Sequence, residues 1–575
     1  MRTGSAVVFS ILAFAGSSGA AINLSHGSSS LPLLTSSNPH DSAPIAYWVF
    51  FLDKGIEPGP AMDAALAELE QTSNTRMIAR RQLRRTAPGL FDERDLAVHQ
   101  SYIDEVLTTG ATQRITSKWL NAISVNATED QIDAIAALAH VTKVQPVGVS
   151  VGVEPIEVND HQLIIPTVDG TFYGNAEAQL DQINLITLHD AGHTAQGVII
   201  GILDTGFKRT HDAFNQPGHV VNVLAEYDFV NDDPNTAPEP GDDPGQHNHG
   251  TYILGTIGSY LPNTMVGGAF DASFILCKTE DITNEYQQEE DFYVAGLEFI
   301  ENNGGDMATS SLGYIDWYSQ SNLNGVTAVT TIGVNIATAN GMFCCTAAGN
   351  EGHDSNPSTS SLIAPADAFE VITCGAVRSN NAVVGFSSDG PTADGRVKPE
   401  LMARGSNTWT VSPSNDSDLT QVSGTSLSTP LVAAAVACLI EAQPGWTVSE
   451  MRSMLFATAQ PLGAAVPDPE FVWGYGIMNA FDAFDNDCNA NGVPDATDIT
   501  NGTSPDVNGN GIPDECEGLI CYPDCDNSGT LNVFDYICFG NAYAVNDLYA
   551  DCDGSGTLNV FDYICYGNAY ATGCP

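Results

Sequence analysis

Three residues far apart in the chain carry side chains that together could do nucleophilic chemistry. Ser426 lies in Ser423-Gly424-Thr425-Ser426-Leu427-Ser428-Thr429-Pro430, directly ahead of the apolar run Leu431 to Ile440. A run with no polar face predicts a helix buried on all sides, with Pro430 in a first turn that has no use for its missing N–H. A serine at that entrance sits near backbone N–H groups and the positive end of the helix dipole, which suits a reaction that develops an oxyanion. The octet alone equally fits a capped core helix. Asp204 follows the Gly-bounded run Val198 to Leu203, which predicts a buried parallel strand with a carboxylate at its carboxyl end, where open α/β sheets place their sites. His249 heads the segment Gly250-Thr251-Tyr252-Ile253-Leu254-Gly255. A serine hydroxyl is a poor nucleophile at neutral pH; an imidazole can take its proton and a carboxylate can orient the ring.

The order acid, imidazole, alcohol is informative. Asp204-Thr205-Gly206, His249-Gly250-Thr251 and Gly424-Thr425-Ser426-x-Ser428-x-Pro430 resemble the three active-site signatures of the subtilisin-like serine peptidases, the subtilases, across roughly residues 185 to 484. Cys345-Thr346-Ala347-Ala348-Gly349-Asn350-Glu351-Gly352 resembles the family's strand and turn carrying the oxyanion-hole amide, which points to Asn350. Ser310-Ser311-Leu312-Gly313 resembles the edge that pairs with substrate backbone, so Ser311, Leu312 and Gly313 are the substrate-binding expectation. The resemblance implies an endopeptidase for protein or peptide substrates, acting through an acyl-enzyme and needing no cofactor for catalysis.

The elements that must position these residues read as an α/β domain, doubly wound on a mostly parallel sheet, because strand and helix patterns alternate over 185–484. Ahead of it, 1–20 reads as a signal peptide (Arg2, then Ala6 to Ala15, then Ser18-Gly19-Ala20) and 21–44 as a Ser-rich linker. No other apolar run is long enough to span a bilayer, so no transmembrane segment is expected after signal removal. Residues 45–150 read as a small α+β module: strands at Ile45 to Leu52, Leu120 to Val125 and Val141 to Val147, a helix at Ala61 to Glu70, and a Thr128/Gln131 capping box opening another. That unit resembles the family's inhibitory propeptide, which implies an inhibited precursor with its own propeptide as a partner. A basic insert with Arg80, Arg81, Arg84 and Arg85 interrupts it, expected as an exposed charged helix, with a processing site as the alternative. The maturation junction is placed in 151–184.

Seventy acidic against 19 basic residues, a formal charge of −51, exclude nucleic acid as a partner and fit an exported cation binder. Residues 485–518 form an Asp/Asn-rich linker in which Asp487 to Asp495 and Asp506 to Asp514 resemble thrombospondin-type calcium repeats. In 519–575, Asp524 to Asp535 recurs as Asp551 to Asp562. Asp524, Asp526, Ser528, Thr530, Asn532 and Asp535, and again Asp551, Asp553, Ser555, Thr557, Asn559 and Asp562, place oxygens at EF-hand positions around Gly529 and Gly556, which predicts structural Ca²⁺. The duplication resembles dockerin modules, implying a cohesin-like or cell-surface partner, although the extra cysteines depart from that pattern. Eight of the 13 cysteines lie between Cys488 and Cys574, predicting disulfide stapling with pairing left open among 105 connectivities. Cys277, Cys344, Cys345, Cys374 and Cys438 are expected to act as small hydrophobes, and His211 and His247 to be structural. Tyr314 and Trp317 follow the substrate edge and could crowd the cleft. The reading is a secreted or surface-attached serine endopeptidase; the alternatives are a non-catalytic extracellular calcium-binding scaffold and an esterase on the same residues.

Overall fold

The computed structural model describes residues 44–148, 171–283, 289–315 and 318–485, and beyond these chiefly 531–545 and 557–572. The expected signal peptide and Ser-rich linker, through residue 43, and residues 149–170 of the expected junction region lie outside the described residues, as does most of 485–518.

The amino-terminal module is a four-stranded antiparallel sheet in the order β2-β3-β1-β4, from β1 (Ile45–Phe51), β2 (Thr112–Ser117), β3 (Ala122–Ala127) and β4 (Val141–Pro146). β1 is almost wholly apolar because both of its faces are covered. Val49 and Phe51 pack with Ile103, Val106 and Ile135 from helices α3 (Gln100–Leu107) and α4 (Glu129–Ala136). Ala46 and Trp48 point the other way, against Val294 and Val329 of the catalytic domain. The expected capping box opens α4. Helices α1 (Pro60–Thr72) and α2 (Thr75–Arg84) form the insert. The helix expected there exists, but it is not exposed: Arg80, Arg81 and Arg84 are only 2–4% exposed and grip acidic groups and carbonyls of the catalytic domain. The charge pattern misled because Glu301, the carboxylate that Arg80 and Arg81 share, lies more than 200 residues away.

The catalytic domain is built on eight parallel strands, in spatial order Gly476–Ile477, Leu401–Arg404, Ile372–Val377, Phe343–Ala347, Met307–Ser310, β5 (Ile199–Asp204), Ser273–Lys278 and Asn222–Asp228. β5 is first in sequence yet interior, with later strands added on both sides of it (on one side the edge strand Asn222–Asp228 precedes Ser273–Lys278, which fills the gap), so its carboxyl end lies at a topological switch point. Helix Thr425–Ala442 runs through the main core, and every residue from Thr425 to Ile440 is buried. Its length and composition would suit a membrane span, but its surroundings are protein. Helices Glu290–Asn302 and Val329–Ala339 cover the opposite face. The packed domain extends upstream of residue 185, since Tyr173, Ala176, Leu180 and Ile183 join the same core.

In the tail, helices Val533–Val545 and Val560–Thr572 each follow one acidic loop, and Phe539 and Tyr566 stack with ring centroids 4.0 Å apart. Cys525 pairs with Cys538 and Cys552 with Cys565, the same separation of 13 residues in each repeat.

Candidate active site

β5 delivers Asp204 fully buried at its carboxyl end. Oδ1 accepts the Thr205 N–H at 2.7 Å and lies 2.8 Å from Nδ1 of His249, in the first turn of helix Asn248–Gly258. With an ionised carboxylate on Nδ1, that nitrogen carries the proton and Nε2 is left as the basic one. Gly250 makes the approach possible: a Cβ there would stand 2.2 Å from the Gly206 carbonyl oxygen and 3.1 Å from Asp204 Oδ1.

Ser426 enters from the central helix, with a difference from the sequence reading. The helix starts at Thr425, so Pro430 is inside it rather than in its first turn. Without an N–H, Pro430 cannot bond the carbonyl four residues back, which is that of Ser426. Ser311 Oγ donates to that carbonyl instead, at 2.9 Å. The Ser311 side chain therefore fastens the backbone of Ser426, a role no local pattern announced. Ser428 and Thr429 hydroxyls both donate to the Thr425 carbonyl at 2.9 Å, further securing the first turn.

Asn350 follows strand Phe343–Ala347. Its Oδ1 accepts from the Thr425 N–H (2.9 Å) and the Thr425 hydroxyl (3.0 Å), which turns Nδ2 away from them. Neither Asn350 Nδ2 nor Ser426 Oγ has a hydrogen-bond partner among the described residues. Both face one small space beside Gly424. A Cβ on Gly424 would sit 2.9 Å from Ser426 Oγ, 3.5 Å from Asn350 Nδ2 and 3.6 Å from the Ser426 nitrogen. Glycine keeps a side chain from crowding this hydroxyl and the two N–H donors. Asp204 and His249 are joined; the serine hydroxyl is not hydrogen-bonded to the ring, a leg that commonly tightens only when substrate is bound.

Leu312 and Gly313 continue from Ser311 at the end of strand Met307–Ser310 and are buried. Tyr314 does not crowd a cleft: it is fully buried and its hydroxyl donates to Glu280. Trp317 lies outside the described residues. His211 is structural, bonding the Asp418 carbonyl at 2.9 Å and accepting the Ala213 N–H. His247 packs on Gly206 and lies 3.4 Å from Asp242, and burial lowers its pKa. The five core cysteines are buried thiols; burial pushes those of Cys277, Cys344, Cys345, Cys374 and Cys438 well up, away from the reactive thiolate.

Of the expected calcium ligands, Asn532, Asp535, Thr557, Asn559 and Asp562 are described; Asp524, Asp526, Ser528, Thr530, Asp551, Asp553 and Ser555 lie outside the described residues. Asp535 and Asp562 are fully buried, each accepting the N–H of the asparagine three residues earlier, at 2.7 and 2.6 Å. Two carboxylates held inside a module at matching loop ends fit a cation site. Asp228, Asp233 and Glu239 also converge within 4.8 Å, but the Lys278 ammonium, 2.8 Å from Asp228, supplies positive charge there.

The comparisons with known proteins agree with this geometry. Residues 195–476 match the model of the Subtilase family, and residues 46–160 that of the Peptidase S8 propeptide domain of Bacteroidota. Subtilisin E of Bacillus subtilis (strain 168) is 32% identical over 302 residues, covering 52% of this chain and 69% of the relative. Subtilisin of Bacillus pumilus is 31% identical, covering 52% of this chain and 95% of its own length. Fervidolysin from Fervidobacterium pennivorans, titled a keratinolytic enzyme related to subtilisin, shares the fold, with a TM-score of 0.52 and 20% identity. That match spans 68% of this chain and 60% of fervidolysin. The chain belongs to the subtilase family. Within it, this is a subtilisin-like serine endopeptidase made as a precursor with a propeptide domain.

Proposed function

We propose that this chain is a secreted endopeptidase whose catalytic residues are Asp204, His249 and Ser426, with Asn350 and the Ser426 N–H as the oxyanion hole. The observation that carries it is the gathering of Ser426 Oγ, Asn350 Nδ2 and the Ser426 nitrogen around Gly424, where a side chain would crowd all three and where the hydroxyl and the amide have no partner among the described residues. A peptide carbonyl carbon brought up to the Ser426 hydroxyl from the open side of Gly424 would turn its oxygen towards the two donors. His249 Nε2 takes the hydroxyl proton as Oγ attacks, and Asp204 stabilises the imidazolium without itself being protonated. The tetrahedral oxyanion is held by Asn350 and the helix N-terminus. His249 then gives the proton to the leaving amine, and water repeats the sequence on the acyl-enzyme. Ser311, Leu312 and Gly313 flank the cleft through their backbone, the Ser311 hydroxyl being committed to Ser426.

The amino-terminal module acts as the inhibitor of the precursor, and residues 1–20 direct export. The tail binds calcium in its two loops through the residues named above and serves as an attachment module, for a cell surface or a cohesin-like protein. The extra disulfides staple the loops that dockerin-like modules leave to metal alone. The test is labelling by a fluorophosphonate probe together with amino-terminal sequencing of the secreted protein. Wild type is expected to label at Ser426 and to lose the module ahead of residue 171; Ser426→Ala is expected to do neither. A processed wild-type chain that never labels refutes the catalytic reading.

A further inference from the structure

The amino-terminal module holds 10 of the chain's 19 basic residues between positions 44 and 148. Five of them, Arg76, Arg80, Arg81, Arg84 and Arg85, lie on or just beyond α2, whose start is fixed by Asn74 accepting the Arg76 N–H at 2.9 Å. Spacings of four and three place them along one side of a helix.

That side meets the amino-terminal rim of the catalytic sheet. Glu301, fully buried at the end of helix Glu290–Asn302, receives two guanidinium groups: Arg80 on Oε2, and Arg81 Nε on Oε1 at 2.7 Å. Arg81 also holds Asp95 of its own module with two bonds of 2.7 and 2.9 Å, so it bridges the two parts. Arg80 donates to the Gly305 carbonyl and Arg76 to Asp306. Arg84 donates to the Pro444 carbonyl at 2.9 Å and lies over the Phe343 ring. The rim is shaped for this helix. A Cβ on Gly304 (φ +80°) would meet Asn74 at 2.9 Å, and one on Gly341 (φ +79°) would meet Arg84 at 2.6 Å. Asp306 and Phe343 open their strands, whereas Asp204 closes β5 at the other edge, about 16 Å away by strand rise.

We propose that this rim is a guanidinium-binding site separate from the catalytic cleft, that its occupant is the arginine helix of the chain's own propeptide, and that it holds the propeptide on the enzyme after the connecting chain is cut. The sheet face is one area of attachment, through Trp48 on Val294 and the bonds of Ser117, Arg114 and Ser124 to Glu298 and Asp291, and the arginine clamp is the second. Two linked contacts make each rebinding intramolecular, so release waits for both to open. Arginine suits the task because its planar fork satisfies a carboxylate and a carbonyl at once, and a buried carboxylate stripped of its partner is left strongly unfavourable.

The experiment uses the full-length chain. Self-cut wild type and Arg80→Gln/Arg81→Gln are passed over a sizing column, and co-elution of the cut propeptide is read on a gel. Retention by wild type and release at least 100-fold faster from the variant are expected, with a shorter lag before activity; equal retention overturns the proposal. A synthetic peptide of residues 74–86, added to the wild-type complex, needs no variant to fold. It is expected to speed release, while the same peptide with both arginines changed to Gln does not; identical effects of the two peptides also overturn it. The self-cutting arm rests on the peptidase reading. A hydrogen-exchange comparison in the Ser426→Ala background does not: loss of protection over residues 290–306 on changing the arginines supports the clamp, and unchanged protection refutes it, whether or not the chain cuts itself.

Discussion

Replacing Asn350 separates its proposed oxyanion role from its structural one. Nδ2 faces the space beside Gly424, and Oδ1 is pinned by the backbone and hydroxyl of Thr425. Loss of one donor of this kind lowers kcat by about 10²–10³, or about 2.7–4 kcal/mol of transition-state stabilisation. Asn350→Ala also strips the buried Thr425 N–H of its acceptor, a further cost of about 1–3 kcal/mol in stability. Asn350→Asp keeps that acceptor and sets a carboxylate oxygen where Nδ2 was. The developing oxyanion then meets a like charge at about 4 Å, a repulsion of about 4 kcal/mol at an effective dielectric constant of 20. Asp is therefore expected to lower kcat at least as much as Ala while destabilising the fold less. KM should change little in both, because the donor acts on charge that exists only in the transition state. The assay is kcat and KM on a chromogenic peptide amide, normalised by fluorophosphonate titration, beside a thermal melt. A kcat within tenfold of wild type in both variants, or a loss carried wholly by KM, refutes the assignment.

Ser426→Ala is expected to reduce turnover by about 10⁶ and to abolish probe labelling, measured on matched protein after processing in trans. Gly250→Ala would push a Cβ to 2.2 Å from the Gly206 carbonyl oxygen; backbone cannot withdraw, so His249 shifts, and kcat/KM should fall about 10²-fold with the melting temperature measured alongside. Replacing Cys552 and Cys565 together by Ser opens a loop of 13 residues and should cost the tail about 3 kcal/mol, read as faster proteolysis of that module. Propeptide binding should weaken as pH rises. Burial raises the pKa of Glu298 above its ordinary value of 4.5 although Ser117 and Trp119 of the propeptide donate to it. Release returns the group to water, so binding takes up protons and affinity is lost as pH climbs above 4.5. Dissociation rates at pH 4 and pH 7 test the sign; faster release at pH 4 contradicts it.

Much of the site was legible before any coordinates, because each residue sits in a short segment with its own physical signature. A Gly-bounded β-branched run ending in Asp204 can hardly avoid being a buried strand, and Leu431 to Ile440 has no face to offer water. The alternation of such segments sufficed for the layered α/β architecture, and Thr128 with Gln131 announced their own cap. The sequence alone therefore determined the elements, their order, and which side chains stand at their ends.

What lay between the elements was decided only by tertiary structure. Ser311 and Ser426 are 115 residues apart, and nothing near either tells that a proline-orphaned carbonyl joins them. Clustered arginines look like a solvated helix until Glu301 arrives from another domain and buries Arg80 and Arg81. Tyr314 turns inward because Glu280 waits there, and the pairs Cys525–Cys538 and Cys552–Cys565 are picked from 105 arrangements only once the repeats fold alike. Local patterns encode burial and periodicity; partners for charges, carbonyls and thiols are chosen by which distant surfaces meet.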